Sequence, residues 1–143
     1  MENVAILGGG SWGTALAISL AKKKIAVDLW CRNTAQAEEM EKSRVNSKYL
    51  PNAELPEGVQ VTADLKDAVS GKSMVVLAVT SQSVRQVSSD IKPWLAKDAI
   101  VVNVAKGLEL GTNLRLSQVV EEVLPDNPFV ALCGPSHAEE VSI

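Results

Sequence analysis

Short apolar runs rich in β-branched residues alternate along this chain with longer amphipathic stretches, the pattern that builds βαβ units around a parallel sheet covered on both faces. Residues 3–7 predict a first strand, residues 14–24 an Ala- and Leu-rich helix, and residues 25–31 a second strand. Asn33 or Thr34 can cap a second helix running to about residue 43, because either side chain can accept from the free N–H groups of the first turn. From residue 44 to 58 the period breaks at Pro51, Pro56 and Gly58, which predicts a long loop; loops of that length in a small domain tend to border sites, so Tyr49 is a candidate. Residues 59–62 then predict a short strand, Asp64 caps a brief helix through residue 68, and residues 73–79 form a nearly unbroken apolar strand. Residues 81–95 predict a helix ending near Pro93, residues 99–105 another buried strand, and residues 113–124 a helix closed by Pro125. Residues 129–133 predict a sixth strand, and Gly134-Pro135-Ser136 a turn into a last helix. The fold class is α/β, a mostly parallel sheet flanked by helices.

The turn after the first strand changes this from a fold to a candidate site. Gly8-Gly9-Gly10-Ser11-Trp12-Gly13 satisfies G-x-G-x-x-G, follows a predicted strand and opens a predicted helix. Gly8 permits the tight turn, Gly10 lets the backbone approach a pyrophosphate, and Gly13 allows close helix-to-strand packing, while the helix start offers free N–H groups to an anion. A Rossmann-like dinucleotide site is the expectation. An acid that would hold the ribose of NAD is due about 20 residues on, yet position 32, nineteen after Gly13, carries Arg32. A planar guanidinium suits a 2′-phosphate or an adenine face, so NADP is favoured or tolerated beside NAD; otherwise Arg32 is a solvated strand-end residue. Asp28, inside the strand pattern, is read as structural.

Ligands of open α/β sheets bind at the carboxyl ends of strands, where three further segments fall: Val79-Thr80-Ser81, Val104-Ala105-Lys106-Gly107 and Cys133-Gly134-Pro135-Ser136-His137. Lys106 leaves a buried strand there, placed to hold an anionic substrate or polarise a carbonyl, or simply to snorkel to solvent. Ser136 is either part of an anion-binding helix start or a plain N-cap. His137 has no partner at a recognisable spacing and receives no catalytic role. Trp12 can shield a cofactor or pack on the sheet.

Composition narrows the partners. With 14 Lys plus Arg against 17 Asp plus Glu, a net charge of −3 leaves no basic field for nucleic acid. No apolar run reaches the ~20 residues of a membrane span, and no basic leader precedes the first strand, so a cytoplasmic location is expected. Cys31 and Cys133 lack metal or redox spacing, and no metal site is predicted. Three Trp, one Tyr and one Phe leave Val, Leu, Ile and Ala to build the core.

Taken in order, LGGGSWGTALA (7–17), LWCRN (29–33), RVNSKYLP (44–51), VAKGLE (104–109) and CGPSHAEE (133–140) resemble bacterial NAD(P)-dependent glycerol-3-phosphate dehydrogenases over nearly the whole chain. The resemblance implies interconversion of dihydroxyacetone phosphate and sn-glycerol 3-phosphate, the backbone of glycerophospholipids, with NADP or NAD as cofactor. It implies that Ser11, Trp12, Arg32, Asn33 and Tyr49 join Gly8, Gly10 and Gly13 around NAD(P)H. Lys106 would touch both cofactor and substrate, Gly134 and Ser136 the substrate, and Ala138 the cofactor. The family's general base and phosphate-gripping residues lie in a C-terminal all-helical domain. Residues 1–143 are therefore expected to be an incomplete nucleotide-binding domain, able to bind cofactor, with no catalytic residue of its own. Two rival readings share the opening glycines: another oxidoreductase of the 6-phosphogluconate-dehydrogenase-like group, such as a ketopantoate reductase, and a non-enzymatic dinucleotide sensor. An uncovered sheet edge would favour self-association into a homo-oligomer or marginal stability.

Overall fold

The structure, a computed structural model, describes residues 3–134 and 136–143. Along the chain, β1 (Asn3–Leu7), α1 (Ser11–Lys22), β2 (Ala26–Trp30) and α2 (Thr34–Ser43) form the first two βα units. A short ribbon, β3 (Val45–Asn46) and β4 (Leu50–Glu54), precedes β5 (Val59–Thr62) and α3 (Leu65–Val69). Then follow β6 (Met74–Leu77), α4 (Val84–Ile91), β7 (Ile100–Asn103), α5 (Leu116–Val123), β8 (Phe129–Ala131) and α6 (Ala138–Val141). Six strands make one parallel sheet in the order β5-β2-β1-β6-β7-β8. The chain runs outward from β1 in one direction and then returns to continue from β6 in the other, which opens a crevice at the carboxyl ends of β1 and β6.

Period-two alternation sends each strand into two cores. Val4 and Ile6 of β1 pack with Ala15, Ile18, Met40 and Ala138 from α1, α2 and α6. Ala5 and Leu7 pack on the opposite face with Val69, Val84, Val87 and Val119 from α3, α4 and α5. All four of these β1 side chains are fully buried, which is why the central strands read as continuous apolar runs. Asp28 is structural, as expected: on β2 it is ion-paired with Lys72 at 2.5 Å.

Several element boundaries differ from those that the hydrophobic pattern predicts. Residues 44–58 do not form a plain loop: β3 and β4 pair antiparallel, with Asn46 opposite Leu50. Leu50 and Leu55 are buried in the core, and Pro51 is tolerated because a two-stranded ribbon leaves it exposed. Helix α1 starts at Ser11 rather than residue 14, directly on the Gly-rich turn. Helix α5 starts at Leu116 rather than 113, because Leu108 and Arg115 bridge to close a small hairpin that takes up the residues before it. The last strand stops at Ala131, and Pro135 of the expected turn lies outside the described residues.

The two sheet edges differ. At β5, Glu41 accepts from the Val61 N–H at 2.7 Å and Arg44 donates to the Val59 carbonyl at 2.6 Å, so side chains occupy the outward backbone groups. β8 has no strand on its outer side among the described residues, and Val130 and Leu132 stand about half exposed there. No described helix is long and apolar enough to cross a membrane.

Leu77 on β6 is fully buried at the sheet centre. Leu77→Ala should cost about 2–5 kcal/mol in urea unfolding, the range for a large-to-small change in a packed core. A loss below about 1 kcal/mol would show that the centre is loosely packed.

Candidate functional site

The Gly-rich turn is built by two steric demands and one open position. Gly8 has φ +134°, and a Cβ there would run into the Ala78 carbonyl of the neighbouring strand end. A Cβ at Gly13 would strike the Gly8 carbonyl, so α1 can approach β1 this closely only with glycine. At Gly10 nothing lies within 4 Å of a Cβ position: this residue faces open space. Gly10 is also the N-cap of α1 and has no side chain to satisfy the first-turn N–H groups, which leaves them available to an anion. The packing requires glycine at Gly8 and Gly13, the tight-turn and close-packing positions of the motif, and leaves Gly10 open. Gly9, to which the sequence reading gave no role, packs on the Cys31 thiol.

A polar layer under the turn had not been anticipated. Buried Asn46 donates to the Gly9 carbonyl at 2.9 Å and the Thr14 hydroxyl at 2.8 Å, and Gln36 donates to the same carbonyl at 2.9 Å. Asn46 also accepts from the Tyr49 N–H at 3.3 Å, which ties the 44–50 segment to the turn and holds Tyr49 at the opening. The signal was an asparagine in RVNSKYLP, but only the fold shows that it faces inward.

Above the turn runs a cleft of about 890 Å³, walled by Gly8, Gly9, Gly10, Trp30, Arg32, Asn33, Gln36, Lys48, Tyr49 and the 78–80 strand end with Ser83. Arg32 is exposed, with its guanidinium 5.9 Å from the centre of the Trp30 ring, and the indole N–H is anchored on the Ala63 carbonyl at 3.0 Å. Lys48 lies 5.0 Å from the Tyr49 ring centre, giving the same end of the cleft a second cation. Asn33 spends its carbonyl oxygen capping α2, accepting from Gln36 N–H at 2.9 Å. A second cavity, about 320 Å³, shares Ala78 and Val79 with the first and adds Trp12, Val104, Ala105, Lys106 and Ser136. In it Lys106 Nζ donates to Ser136 Oγ at 2.7 Å. Trp12 thus lines the cavity while also packing against the sheet core.

The fold therefore gathers Gly8, Gly10, Arg32, Asn33 and Tyr49 on one cavity and Trp12, Lys106 and Ser136 on the next. Ser11 and Gly13 lie in the first turn of α1 beneath them. Gly134 is exposed with φ +136°, and Ala138 is buried in the core; neither lines these two cavities. His137 is exposed and stands at the N-cap of α6, where its side chain makes no capping bond. Thr80, from the Val79-Thr80-Ser81 segment, lines the wall, and Lys48, Gln36 and Ser83 are wall residues that periodicity did not single out.

Arg85 holds Glu109 through bonds of 2.8 and 3.0 Å and reaches Glu122 at 2.9 Å, which keeps the Glu109 carboxyl below its usual range and raises the guanidinium. Burial beside the turn pushes the Cys31 thiol up to about 11, whereas Cys133 is exposed.

The chain matches, over residues 3–143, the family model described as NAD-dependent glycerol-3-phosphate dehydrogenase N-terminus. It belongs to that family. Among family members, a glycerol-3-phosphate dehydrogenase [NAD(P)+] of Clostridium perfringens is 46% identical over 142 residues, 99% of this chain and 43% of that protein. The Moorella thermoacetica protein of the same name is 50% identical over 140 residues, 98% of this chain and 42% of its own length. The crystal structure of glycerol-3-phosphate dehydrogenase from Coxiella burnetii superposes with a TM-score of 0.93 at 37% identity, covering 99% of this chain and 43% of that one. The chain thus spans less than half the length of these relatives.

Gly8→Ala should lower the melting temperature by several degrees, through positive φ and a backbone clash together. Gly10→Ala should leave melting unchanged and act on ligand affinity alone; equal melting losses for the two would refute the division of roles. Thiol titration at pH 8 should find one reactive cysteine in the folded chain and two after unfolding. Because the folded Cys31 pKa lies above its ordinary value of 9.0, the folded chain holds more protons between pH 9 and 11, and stability should fall across that window. Flat stability there would place Cys31 in water.

Proposed function

We propose that this chain is the cofactor-binding part of an NAD(P)-dependent glycerol-3-phosphate dehydrogenase, acting in glycerophospholipid synthesis. One observation carries the reading: a turn that is open at Gly10, with uncapped N–H groups at the start of α1, borders one cavity, and that cavity shares Ala78 and Val79 with a second in which Lys106 and Ser136 meet. A dinucleotide laid along that path would put its pyrophosphate on the α1 start, its adenosine between Arg32 and Tyr49, and its nicotinamide toward Trp12. When bound, the cofactor supplies a hydride for exchange with the C2 carbon of dihydroxyacetone phosphate.

The residues present fit that role. Arg32 offers a planar donor array for a 2′-phosphate, which supports NADP beside NAD. Lys106 provides an ammonium at the nicotinamide end, suited to a small phosphorylated substrate's carbonyl or anion, and Ser136 orients it. Gly134 and Ala138 act through the backbone of the segment that carries Ser136. In this reading the general base lies outside these residues, in the part of the relatives' length that this chain does not span. The free cysteines support a reducing, cytoplasmic setting, and the open β8 edge supports a homo-oligomer.

Titration of the chain with NADPH and NADH, followed by nicotinamide fluorescence, tests the reading. Saturable binding is expected, and Arg32→Ala should cut the NADPH-over-NADH preference by roughly tenfold, the scale of one lost charged contact. No binding of either dinucleotide would refute it. In a full-length protein carrying this domain, Lys106→Ala should lower kcat/KM by about 10²-fold or more. Unchanged kinetics would remove Lys106 from the site.

A further inference from the structure

The turn Ser81–Ser83 between β6 and α4 touches the cleft on one side and grips a second loop on the other. Ser83 belongs to the cleft wall. Gln82 spans to the backbone beyond Lys106: its Nε2 donates to the Leu108 carbonyl at 3.0 Å and its Oε1 accepts from the Leu110 N–H at 2.8 Å. One turn further, Arg85 holds the intervening Glu109 in a two-bond fork at 2.8 and 3.0 Å. Three consecutive residues are thus seized directly after Gly107, whose φ of +108° turns the chain. Leu108 and Leu110 are 51% and 77% exposed. Their apolar burial cannot fix the loop, so polar bonds from the cleft-wall turn must.

We propose that Gln82 and Arg85 are positioning residues that lock the 106–110 loop to the cleft wall, so that the Lys106 ammonium stays beside Ser136 at the cofactor's reactive end. The inference rests on the reading of Lys106 given above. A bidentate guanidinium–carboxylate fork fixes orientation as well as distance, and the two-point amide bridge removes the remaining rotation of the loop. Neither residue faces a ligand directly; each acts through the loop.

The test is NADPH titration and amide hydrogen exchange of the 143-residue chain with Gln82→Ala, Arg85→Ala, Arg85→Lys and Lys106→Ala, and with each clamp alanine combined with Lys106→Ala. Gln82→Ala and Arg85→Ala should speed exchange in the 106–110 loop by about tenfold and weaken NADPH by roughly three- to tenfold. Arg85→Lys, which keeps one ion pair, should recover part of that loss. Once Lys106 is alanine, the clamp substitutions should add less than about twofold. Faster exchange with unchanged affinity would overturn the proposal. So would a loss retained in full without Lys106, the mark of general unfolding. Unchanged affinity in Lys106→Ala alone would overturn the Lys106 assignment itself, and that single variant separates the two failures. If Arg85→Ala does not fold, the Gln82 arm decides.

Discussion

Everything at the ligand edge depends on how closely three backbone segments approach one another: the end of β1, the start of α1 and the end of β6. The Gly8 carbonyl sits where a Gly13 side chain would be, and the Ala78 carbonyl where a Gly8 side chain would be. Without that approach α1 could not lie on β1, and the N–H groups of its first turn would not face the crevice where the strand order reverses. The two cores of the sheet serve this constraint, because Val4 and Ile6 on one face and Ala5 and Leu7 on the other hold β1 in place while its end makes the turn.

The polar layer beneath the turn extends the same logic. A backbone carbonyl at Gly9 is held by two side-chain amides, from Gln36 on α2 and Asn46 on β3, so two separate elements fix one peptide. Buried amides that are fully partnered specify geometry because any other arrangement leaves them unsatisfied. Asn46 therefore couples the ribbon carrying Lys48 and Tyr49 to the Gly-rich turn, and the cleft's cationic end is set by the element that sequence pattern reads as a loop. At the other end the 80–85 segment acts similarly, facing the cleft through Ser83 and the Lys106 loop through Gln82 and Arg85.

Placing both ends of the cleft on one parallel sheet also explains why the surrounding surface can vary in character. The β5 edge is closed by Glu41 and Arg44, whose charges fill backbone groups that would otherwise pair with another strand. The β8 edge carries apolar Val130 and Leu132 in the open. The segment that carries Cys133, Gly134 and Ser136 thus follows an open edge strand, and Ser136 accepts a hydrogen bond from Lys106.

Local chemistry alone determined the α/β alternation, the six sheet strands and the Gly-rich turn, because strand and helix periods and the steric freedom of glycine are properties of neighbouring residues. It also placed Arg32 and Lys106 at strand ends, where the open sheet puts ligands. Tertiary structure alone decided which of these side chains meet. Lys106 and Ser136 are thirty residues apart and come within hydrogen-bonding distance only because β7 and β8 are neighbours. Asn46 and Gln82 look like ordinary polar residues in the chain, since their work is done on backbone groups from distant segments that no local pattern brings together. The ribbon at 45–54 was hidden for the same reason: Pro51 breaks a local period, while the burial of Leu50 and Leu55 that holds the ribbon comes from a core assembled out of the rest of the chain.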